Sequence, residues 1–246
     1  MRVHRVYVPT LTKQIDAANT TITLRGREAH HLANVLRIST GQAVRAFDGR
    51  GYEADGVVVD IADDAGGVVL ELSSAYVSDL ESSWQVHMAV GLLKGDKLAD
   101  VVRQVTELGA VSVQPFTSRF GDVPKASANK LQRWRRIAQE AAKQSGRSVV
   151  PEVRDPVKVE VLEPHDLGII AHPYAGEHLH DLLERQLLAE HTSLTLITGA
   201  EGGLADSEIE QLTAKGFQTV SLGKRILRAE TAPIALLSAL LLPQGR

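Results

Sequence analysis

Two segments near the C-terminus combine glycines with charged side chains in a way that suits a ligand site. The segment 198–203 (TGAEGG) has three glycines in five positions around the carboxylate of Glu201. Glycine allows positive φ and lets the backbone lie close to a ligand. The segment 223–232 (GKRILRAETA) holds three cations and the carboxylate of Glu230. Either segment alone is equally consistent with an ordinary turn, but the two together indicate a binding site.

The elements predicted around these segments place both at one edge of a sheet. From residue 84 onward, strands and helices alternate, which is typical of βα units and a mostly parallel sheet. In such a sheet, ligands bind beyond the carboxyl ends of the strands. The predicted strands are 84–92, 111–116, 167–171, 193–198 and 217–222. The predicted helices are 96–108 and 206–214, with N-caps at or near Asp96 and Asp206, and 127–145, 177–191 and 234–242.

The first 72 residues follow a different pattern. Short alternating strands are predicted at 3–8, 21–24, 44–47, 52–61 and 68–72, with glycine and aspartate turns at 48–51 and 63–67. One helix is predicted at 28–36. Short strands at close spacing indicate a small β-barrel. With a polar linker at 73–83, we expect a barrel domain at 1–72 and an α/β domain at 84–246.

Composition excludes several classes of protein. The chain has 246 residues, a net charge of -3 and no cysteine, which excludes disulfides, thiolate metal sites and cysteine nucleophiles. It has no apolar run near the ~20 residues that span a bilayer and no apolar signal-peptide core, so we expect a cytoplasmic protein without membrane contact. His30 and His31 are adjacent, and His178 and His180 are two apart on a predicted helix, so their side chains diverge and we expect no metal site.

A basic stretch stands out from this mildly acidic background. Residues 119–147 contain eight basic and two acidic side chains, a local net charge of +6. Such asymmetry indicates a surface that faces a polyanion, although a solvated helix face is an equally good explanation. Aromatic residues make up only 4% of the chain, so stacking platforms for single-stranded nucleic acid are scarce.

Motifs of other enzyme classes are missing. The chain has neither a GxxxxGK[ST] phosphate loop nor a GxSxG nucleophile elbow. The segment 49–54 (GRGYEA) matches GxGxxA but lies between predicted strands with no helix after it. A nucleotide-dependent oxidoreductase on a doubly wound sheet is therefore a weaker alternative.

The two C-terminal segments resemble the signatures of a known family. Residues 199–203 (GAEGG) and 222–232 (LGKRILRAETA) are similar to the GPEGG and LGxRILRxETA motifs of the RsmE family. These SPOUT-superfamily methyltransferases act on N3 of a uridine in 16S ribosomal RNA. The resemblance extends over nearly the whole chain, including 4–5 (HR), 30–32 (HHL), 106–109 (TELG), 118–119 (SR) and 140–147 (EAAKQSGR). Ala200 replaces the proline of the first motif, and Gln104 replaces a lysine that usually precedes TELG.

The resemblance implies a fold, a cofactor and partners. The fold is α/β, with a SPOUT-type parallel sheet that contains a trefoil knot, preceded by a PUA-like β-barrel. The cofactor is S-adenosylmethionine, and the partners are 16S ribosomal RNA and a second copy of the chain, with the site near the dimer interface. The implied cofactor-binding residues are Thr198, Gly199, Gly202, Gly203, Leu222, Gly223, Ile226, Leu227 and Ala229. The implied RNA-binding residues are His4, Arg5, His31, Arg37, Arg119, Arg133, Arg136 and Arg147.

The chemistry of this reaction assigns roles to the charged residues of the two loops. Methyl transfer from a sulfonium needs no metal but needs in-line placement of the methyl group and the nucleophile. Uridine N3 must lose a proton, so Arg225 or Arg228 could stabilise the negative ring. Glu201 or Glu230 could accept the proton, orient an arginine, or merely fix the loops by ion pairing. We expect Arg228 to be catalytic and Arg225 structural. The alternative function is a noncatalytic RNA-binding protein of ribosome assembly.

Overall fold

The computed structural model describes residues 3–11, 20–61, 67–184 and 192–242. The chain divides into two compact units. The N-terminal unit comprises Met1–Glu81 together with Ala142–Val150, and the C-terminal unit comprises Ser82–Ala141 together with Pro151–Arg246. The segment 142–150, which follows the bulk of the basic stretch, therefore packs with the N-terminal unit. The division at 72 and 84 stays a prediction.

The N-terminal unit is built on a six-stranded sheet in the order β1-β3-β4-β5-β2, with β6 beside β4. The pair β1–β3 is parallel and the other pairs are antiparallel. The elements are β1 (His4–Tyr7), β2 (Thr20–Leu24), α1 (Gly26–His30), β3 (Ala43–Phe47), β4 (Tyr52–Ile61), β5 (Val68–Leu72) and β6 (Tyr76–Val77). All five predicted strands are present. Strand β6 falls in the predicted linker, so that part of the linker is structured.

Alternation along the strands explains the core of this unit. In β3, Val44 and Ala46 are buried, whereas Arg45 between them pairs with Asp55 on the neighbouring strand at 2.7 Å. The predicted helix 28–36 begins two residues earlier and changes after His30 into a wider π-helical turn (His31–Val35). It still buries Ala29 and Leu32 against the sheet. The predicted turn at 63–67 lies outside the described residues, apart from Gly67.

The C-terminal unit is an α/β unit with a fully parallel sheet in the order β10-β8-β7-β12-β11-β13, and β9 beside β8. Its strands are β7 (Gln85–Gly91), β8 (Ser112–Thr117), β9 (Glu152–Val153), β10 (Val157–Lys158), β11 (Leu167–Ala171), β12 (Ser193–Thr198) and β13 (Phe217–Val220). Its helices are α2 (Lys97–Leu108), α3 (Ala128–Ser145), α4 (Leu179–Glu184), α5 (Asp206–Ala214) and α6 (Ala232–Leu241), of which α3 ends in the N-terminal unit. The predicted alternation and parallel sheet are confirmed. The two-residue strands β9 and β10 were not predicted because they are too short to show periodicity.

The register of the sheet brings the carboxyl ends of its central strands level. Thr198 at the end of β12 pairs with Val90 of β7 and with Ala171 of β11, and Ala171 in turn pairs with Val220 of β13. Strand β12 is buried on both faces, as expected for a central parallel strand. The loops that follow β7, β12 and β13 therefore leave the sheet at one edge.

Helices α2 and α5 begin where predicted, but neither is capped by an aspartate side chain, and for α2 the reason is tertiary. The Asp96 side chain does not cap α2; its carboxylate instead accepts a hydrogen bond from Arg133 of α3. The N-cap of α5 is Ala205, the residue before Asp206, and Glu208 accepts the Ala205 N–H at 2.8 Å. Gly109 ends α2 in the left-handed conformation, as predicted. Residues 185–191 of the predicted helix 177–191 lie outside the described residues.

Candidate active site

The loop after β12 is a tight turn that packs against its neighbours through glycine. Gly203 donates its N–H to the carbonyl of Ala200 at 2.9 Å and has a φ of +73°. A Cβ on Gly202 would lie 2.3 Å from the carbonyl oxygen of Phe120, and one on Gly91 would lie 2.3 Å from the Ala200 nitrogen. Glycine is therefore required at 202 and at 91 by close approach, and at 203 by the backbone conformation. The turn forms with Ala200 in the position where the GPEGG motif has proline.

The loop after β13 presents its cations to solvent. Gly223 has a φ of +115°, and the carbonyl of Arg228 accepts the N–H groups of Thr231 and Ala232, where α6 begins. The side chains of Lys224, Arg225 and Arg228 are exposed, and Ile226 is 69% exposed. Leu222, Leu227 and Ala229 are half-buried. This loop therefore has an apolar inner side and a cationic outer side.

The ammonium group of Lys97 joins the two loops, and this residue was not predicted. Lys97 Nζ lies 3.0 Å from Glu201 Oε1 in the β12 loop and 3.5 Å from Glu230 Oε2 in the β13 loop. The backbone N–H of Lys94 also points to Glu201 Oε1, at 3.3 Å. The sequence offered one signal: a lysine in the first turn of α2, where the helix dipole disfavours a cation unless acids surround it.

The arginines of the second loop contribute less to this ion-pair cluster. Arg228 Nη1 lies 3.9 Å from Glu230 Oε1, and its side chain is 84% exposed. Among the described residues, Arg225 has no acidic partner within ion-pair distance. The partner that holds both acids is thus Lys97 rather than either arginine.

The electrostatic surroundings of the two acids differ. Burial raises the pKa of Glu201, but the hydrogen bond from Lys97 and backbone N–H groups outweigh it and hold that pKa below its usual value. The pKa of Lys97 is raised by its hydrogen bond to Glu201. Glu230 Oε2 is buried and makes only the ionic contact with Lys97, without a hydrogen bond to any described residue. Glu201 is the fixed anion of the cluster, and Glu230 Oε2 is the oxygen still open to a donor.

These loops leave a buried polar group and open space that a ligand can use. Thr198 is fully buried, and its hydroxyl has no hydrogen-bond partner among the described residues. Buried polar groups are nearly always paired, so a ligand atom is a natural partner for this hydroxyl. A Cβ on Gly203 would meet nothing within 4 Å, and one on Gly223 only His178 Nε2 at 3.7 Å. Space therefore remains beside both positive-φ glycines.

Three of the predicted RNA-binding residues belong to the same unit as these loops. Arg119 follows β8; its side chain is exposed over the Phe120 ring, and its N–H is held by Glu208 at 2.7 Å. Arg133 and Arg136 are exposed on α3. The Arg133–Asp96 ion pair connects α3 to the loop that leads into Lys97. The part of α3 around Arg133 is therefore linked to the start of α2, next to Lys97.

The other predicted RNA-binding residues lie in the N-terminal unit, and two of them are internal ion pairs. Arg5 is 13% exposed and donates to Glu53 Oε1 at 2.7 Å. Arg147 is 7% exposed and contacts Glu81 at 2.7 Å. His4 and His31 are half-buried, whereas Arg37 is exposed and has a φ of +49°. Of these five residues, Arg37 is the most accessible.

A second polar cluster lies at the opposite, amino-terminal edge of the parallel sheet. The His87 and His165 rings are stacked, and they contact the hydroxyls of Ser112 at 2.8 Å and Thr195 at 2.7 Å. The residues border a cavity of about 250 Å³.

Across the described ranges, no helix is long and apolar enough to cross a membrane. In the same ranges, no three His, Cys, Asp or Glu side chains are grouped as metal ligands.

Comparison with known proteins identifies the family. A model described as an RNA methyltransferase domain matches residues 80–241, and one described as an RNA methyltransferase PUA domain matches residues 24–70. The chain is 35% identical to ribosomal RNA small subunit methyltransferase E of Bacillus subtilis, covering 95% of this chain and 94% of the relative. It is 37% identical to the Synechocystis protein of that name, covering 89% of this chain and 72% of the relative.

Comparison with solved structures supports the same assignment. The crystal structure of ribosomal RNA small subunit methyltransferase E from Neisseria gonorrhoeae, bound to S-adenosyl methionine, matches with a TM-score of 0.86 at 27% identity and covers 98% of each chain. The expected fold class, a SPOUT-type α/β sheet preceded by a β-rich PUA-like domain, is confirmed. The chain belongs to the ribosomal RNA small subunit methyltransferase E family.

Proposed function

We propose that this protein is an S-adenosylmethionine-dependent methyltransferase that methylates N3 of a specific uridine in 16S ribosomal RNA. The observation that carries the proposal is the meeting of the GAEGG and LGKRILRAETA loops at one sheet edge, in a chain of this family. Lys97 Nζ contacts an acid from each loop there, at 3.0 Å and 3.5 Å. The site thus combines main-chain groups for a nucleoside with charged groups for proton removal.

The cofactor is held by the two loops. When bound, S-adenosylmethionine supplies a methyl group activated by its sulfonium. The buried Thr198 hydroxyl is available to hydrogen bond with it, and the glycine backbone allows it to lie close to the chain. The half-buried apolar side chains of the second loop cover the adenine ring of the cofactor. The residues of this cradle are Thr198, Gly199, Gly202, Gly203, Leu222, Gly223, Ile226, Leu227 and Ala229.

The acceptor uridine is activated by side chains of the same loops. A carboxylate, Glu201 or Glu230, accepts the N3 proton, because uracil is a weak nucleophile until it is deprotonated. Arg228, which is exposed and 3.9 Å from Glu230, stabilises the negative charge on the ring. Arg225 lies on the same outer side of the loop and contributes charge toward the RNA.

Each unit offers residues to the RNA. In the C-terminal unit these are the exposed Arg119, Arg133 and Arg136, and in the N-terminal unit they are the exposed Arg37 and the half-buried His4 and His31. Arg5 and Arg147 are engaged with Glu53 and Glu81, so we assign them to holding the N-terminal unit together. The substrate is found in the cytoplasm, where we place the protein.

The active form is a homodimer. Ile226 of the β13 loop is 69% exposed and Leu242 after α6 is 65% exposed. Helix α6 also leaves Ile234, Ala235 and Ala239 only partly buried. Exposed apolar side chains beside a site fit coverage by a second copy. Ile226→Asp is expected to shift the protein from dimer to monomer in light scattering, whereas a monomeric wild type would contradict the proposal.

The decisive experiment compares 16S ribosomal RNA nucleosides from cells with and without the gene by mass spectrometry. Loss of N3-methyluridine in the deletion, restored by the wild-type gene, is the expected result. An unchanged level would contradict the proposed function. If purified protein bound ribosomal RNA but not S-adenosylmethionine in calorimetry, it would instead be a noncatalytic RNA-binding protein of ribosome assembly.

A further inference from the structure

We infer that Lys97 is a positioning residue that separates the roles of the two carboxylates, holding Glu201 as its fixed counter-ion and leaving Glu230 to take the proton of the acceptor base. The inference rests on the proposed function. In the step assigned to Glu230, the N3–H bond breaks, its electron pair stays on N3, and the proton passes to the carboxylate. The product is an anionic ring beside a neutral Glu230 carboxyl group.

The first support is the unequal hydrogen bonding of the two acids. Glu201 Oε1 receives the Lys97 ammonium at 3.0 Å and faces the Lys94 N–H at 3.3 Å. Glu230 Oε2, 3.5 Å from Lys97 Nζ, has no hydrogen bond among the described residues although it is buried. A buried carboxylate oxygen without a donor is unfavourable, so a proton placed on it is well accommodated. The geometry thus distinguishes an anion held by hydrogen bonds, Glu201, from one held only by longer ionic contacts, Glu230.

The second support is the position of Lys97 in the fold. It is the first residue of α2, where the positive end of the helix dipole opposes a cation. That placement is tolerated because acids from two other loops surround the ammonium group. Lys97 is thereby the common contact of the β7–α2 junction, the β12 loop and the β13 loop. A change in the charge of Lys97 therefore affects the distance between Glu201 and Glu230, and not only a single ion pair.

The third support is the surroundings of Glu230. Its other oxygen, Oε1, lies 3.9 Å from Arg228, the arginine assigned to the anionic ring. Glu230 therefore lies between a cation that positions it and a cation that faces outward. Against burial, which raises the pKa of Glu201, the hydrogen bond from Lys97 and the backbone N–H groups hold that pKa below its usual value, so Glu201 is a weaker proton acceptor than a free glutamate.

Two glutamine variants test the division of roles in the full-length protein, by single-turnover methylation of small subunits across pH. Glu230→Gln is expected to lower the methylation rate about 10³-fold and to remove the acidic limb of the pH profile, where the wild-type rate falls as the pH decreases. Glu201→Gln is expected to lower the rate by about tenfold and to keep that limb. Loss of the limb in Glu201→Gln with its retention in Glu230→Gln would overturn the assignment.

Variants of Lys97 test the positioning role in the free protein, without cofactor or RNA. In Lys97→Met, the Glu201 side-chain carboxyl is expected to titrate at higher pH than in the wild type, followed by ¹³C NMR. Lys97→Arg keeps the charge and is expected to restore the lower titration. Arg103→Met, on the exposed side of the same helix, is the matched control and is expected to change nothing.

The proposed function and the positioning role of Lys97 can each be contradicted without the other. A wild-type protein that transfers no methyl group would contradict the proposed function, while the titration of Glu201 would still report on Lys97. A Glu201 titration unchanged in Lys97→Met would show that Lys97 does not hold it, even with full methyltransferase activity. If Lys97→Met does not fold, Lys97→Gln titrated in the same way gives the same reading.

Discussion

The imidazole rings of His87 and His165 stack with their centroids 3.8 Å apart and their planes 6° from parallel. Both are held from the side by hydroxyls of neighbouring strands, Ser112 and Thr195. Burial, together with the neighbouring His165 and Arg154, lowers the pKa of His87 to about 4, with Glu152 opposing. Burial and Arg154 also lower the pKa of His165, with Asp166 opposing. Two stacked imidazoles repel one another when both are protonated, so the stack favours the neutral forms.

The stacked pair predicts a stability that falls in mild acid. Because the folded-state pKa of His87 lies below that of an unfolded histidine, near 6.5, the unfolded chain binds more protons between about pH 4 and 6.5. The contribution of neutral His87 to the free energy of unfolding is full above about pH 6.5 and is lost as the pH falls toward 4. Melting temperatures of His87→Gln should depend less on pH over this window than those of the wild type. The exposed His180→Gln is the control, and equal slopes in all three proteins would contradict the prediction.

Gly203→Val is expected to abolish S-adenosylmethionine binding. The φ of +73° at this position is unfavourable for a β-branched residue by about 1–2 kcal/mol, and the side chain would enter the open space assigned to the cofactor. The matched control is Gly216→Val, which has a φ of +102° and equally open surroundings but lies after α5. Both variants should lose similar stability, and only Gly203→Val should lose binding in calorimetry. Normal binding by Gly203→Val would show that this loop is not the cofactor cradle.

Arg147→Ala is expected to destabilise the protein rather than to act on RNA directly. The Arg147 side chain is 7% exposed and Glu81 is 18% exposed, so the truncation leaves a largely buried carboxylate without its cation, held through Oε1 by the N–H groups of Ser148 and Val149. Breaking such a pair costs about 3–5 kcal/mol, whereas breaking an exposed pair costs about 1 kcal/mol or less. Denaturant unfolding of Arg147→Ala and of Arg103→Ala, which breaks two exposed pairs, measures the difference. Similar values for both would mean that the Arg147–Glu81 pair is not structural.

Charge reversal on α3 is expected to weaken RNA binding and to reduce its salt dependence. Arg133→Glu with Arg136→Glu removes two exposed cations, and each phosphate that the protein no longer neutralises reduces the slope of log K against log salt by about 0.7–0.9. Cofactor binding should be unchanged. Lys158→Glu, at an exposed lysine on β10, serves as the control. An unchanged slope in the double variant would mean that this face is only solvated.

Arg228→Lys is expected to lower the methylation rate by roughly tenfold, because lysine keeps the charge but lacks the planar fork of the guanidinium. Arg225→Lys is expected to leave the melting temperature unchanged, since Arg225 is exposed and has no acidic partner among the described residues. Full activity in Arg228→Lys together with an inactive, stable Arg225→Lys would mean that Arg225, and not Arg228, stabilises the anionic ring.

Local patterns in the sequence determined most elements of the fold. The apolar runs of β7 and β12, the alternation in β3 and the left-handed Gly109 after α2 are visible residue by residue. These patterns are local because burial on one or both faces of an element imposes a period on the chain itself. The two candidate loops were also recognisable, because two segments rich in glycine and charge follow strands of the same predicted sheet, although either segment alone is consistent with an ordinary turn.

Tertiary structure alone decided which charged groups meet. Asp96 could have capped α2 but is taken by Arg133, and Arg147 belongs to a basic stretch yet is buried against Glu81. Lys97 contacts Glu201 across 104 positions of the chain. Ion pairs have no sequence period, since a flexible charged side chain binds whichever opposite charge the packed strands bring within a few ångströms. The partners of Lys97 therefore depend on the parallel register that brings the carboxyl ends of β7, β12 and β13 to one edge.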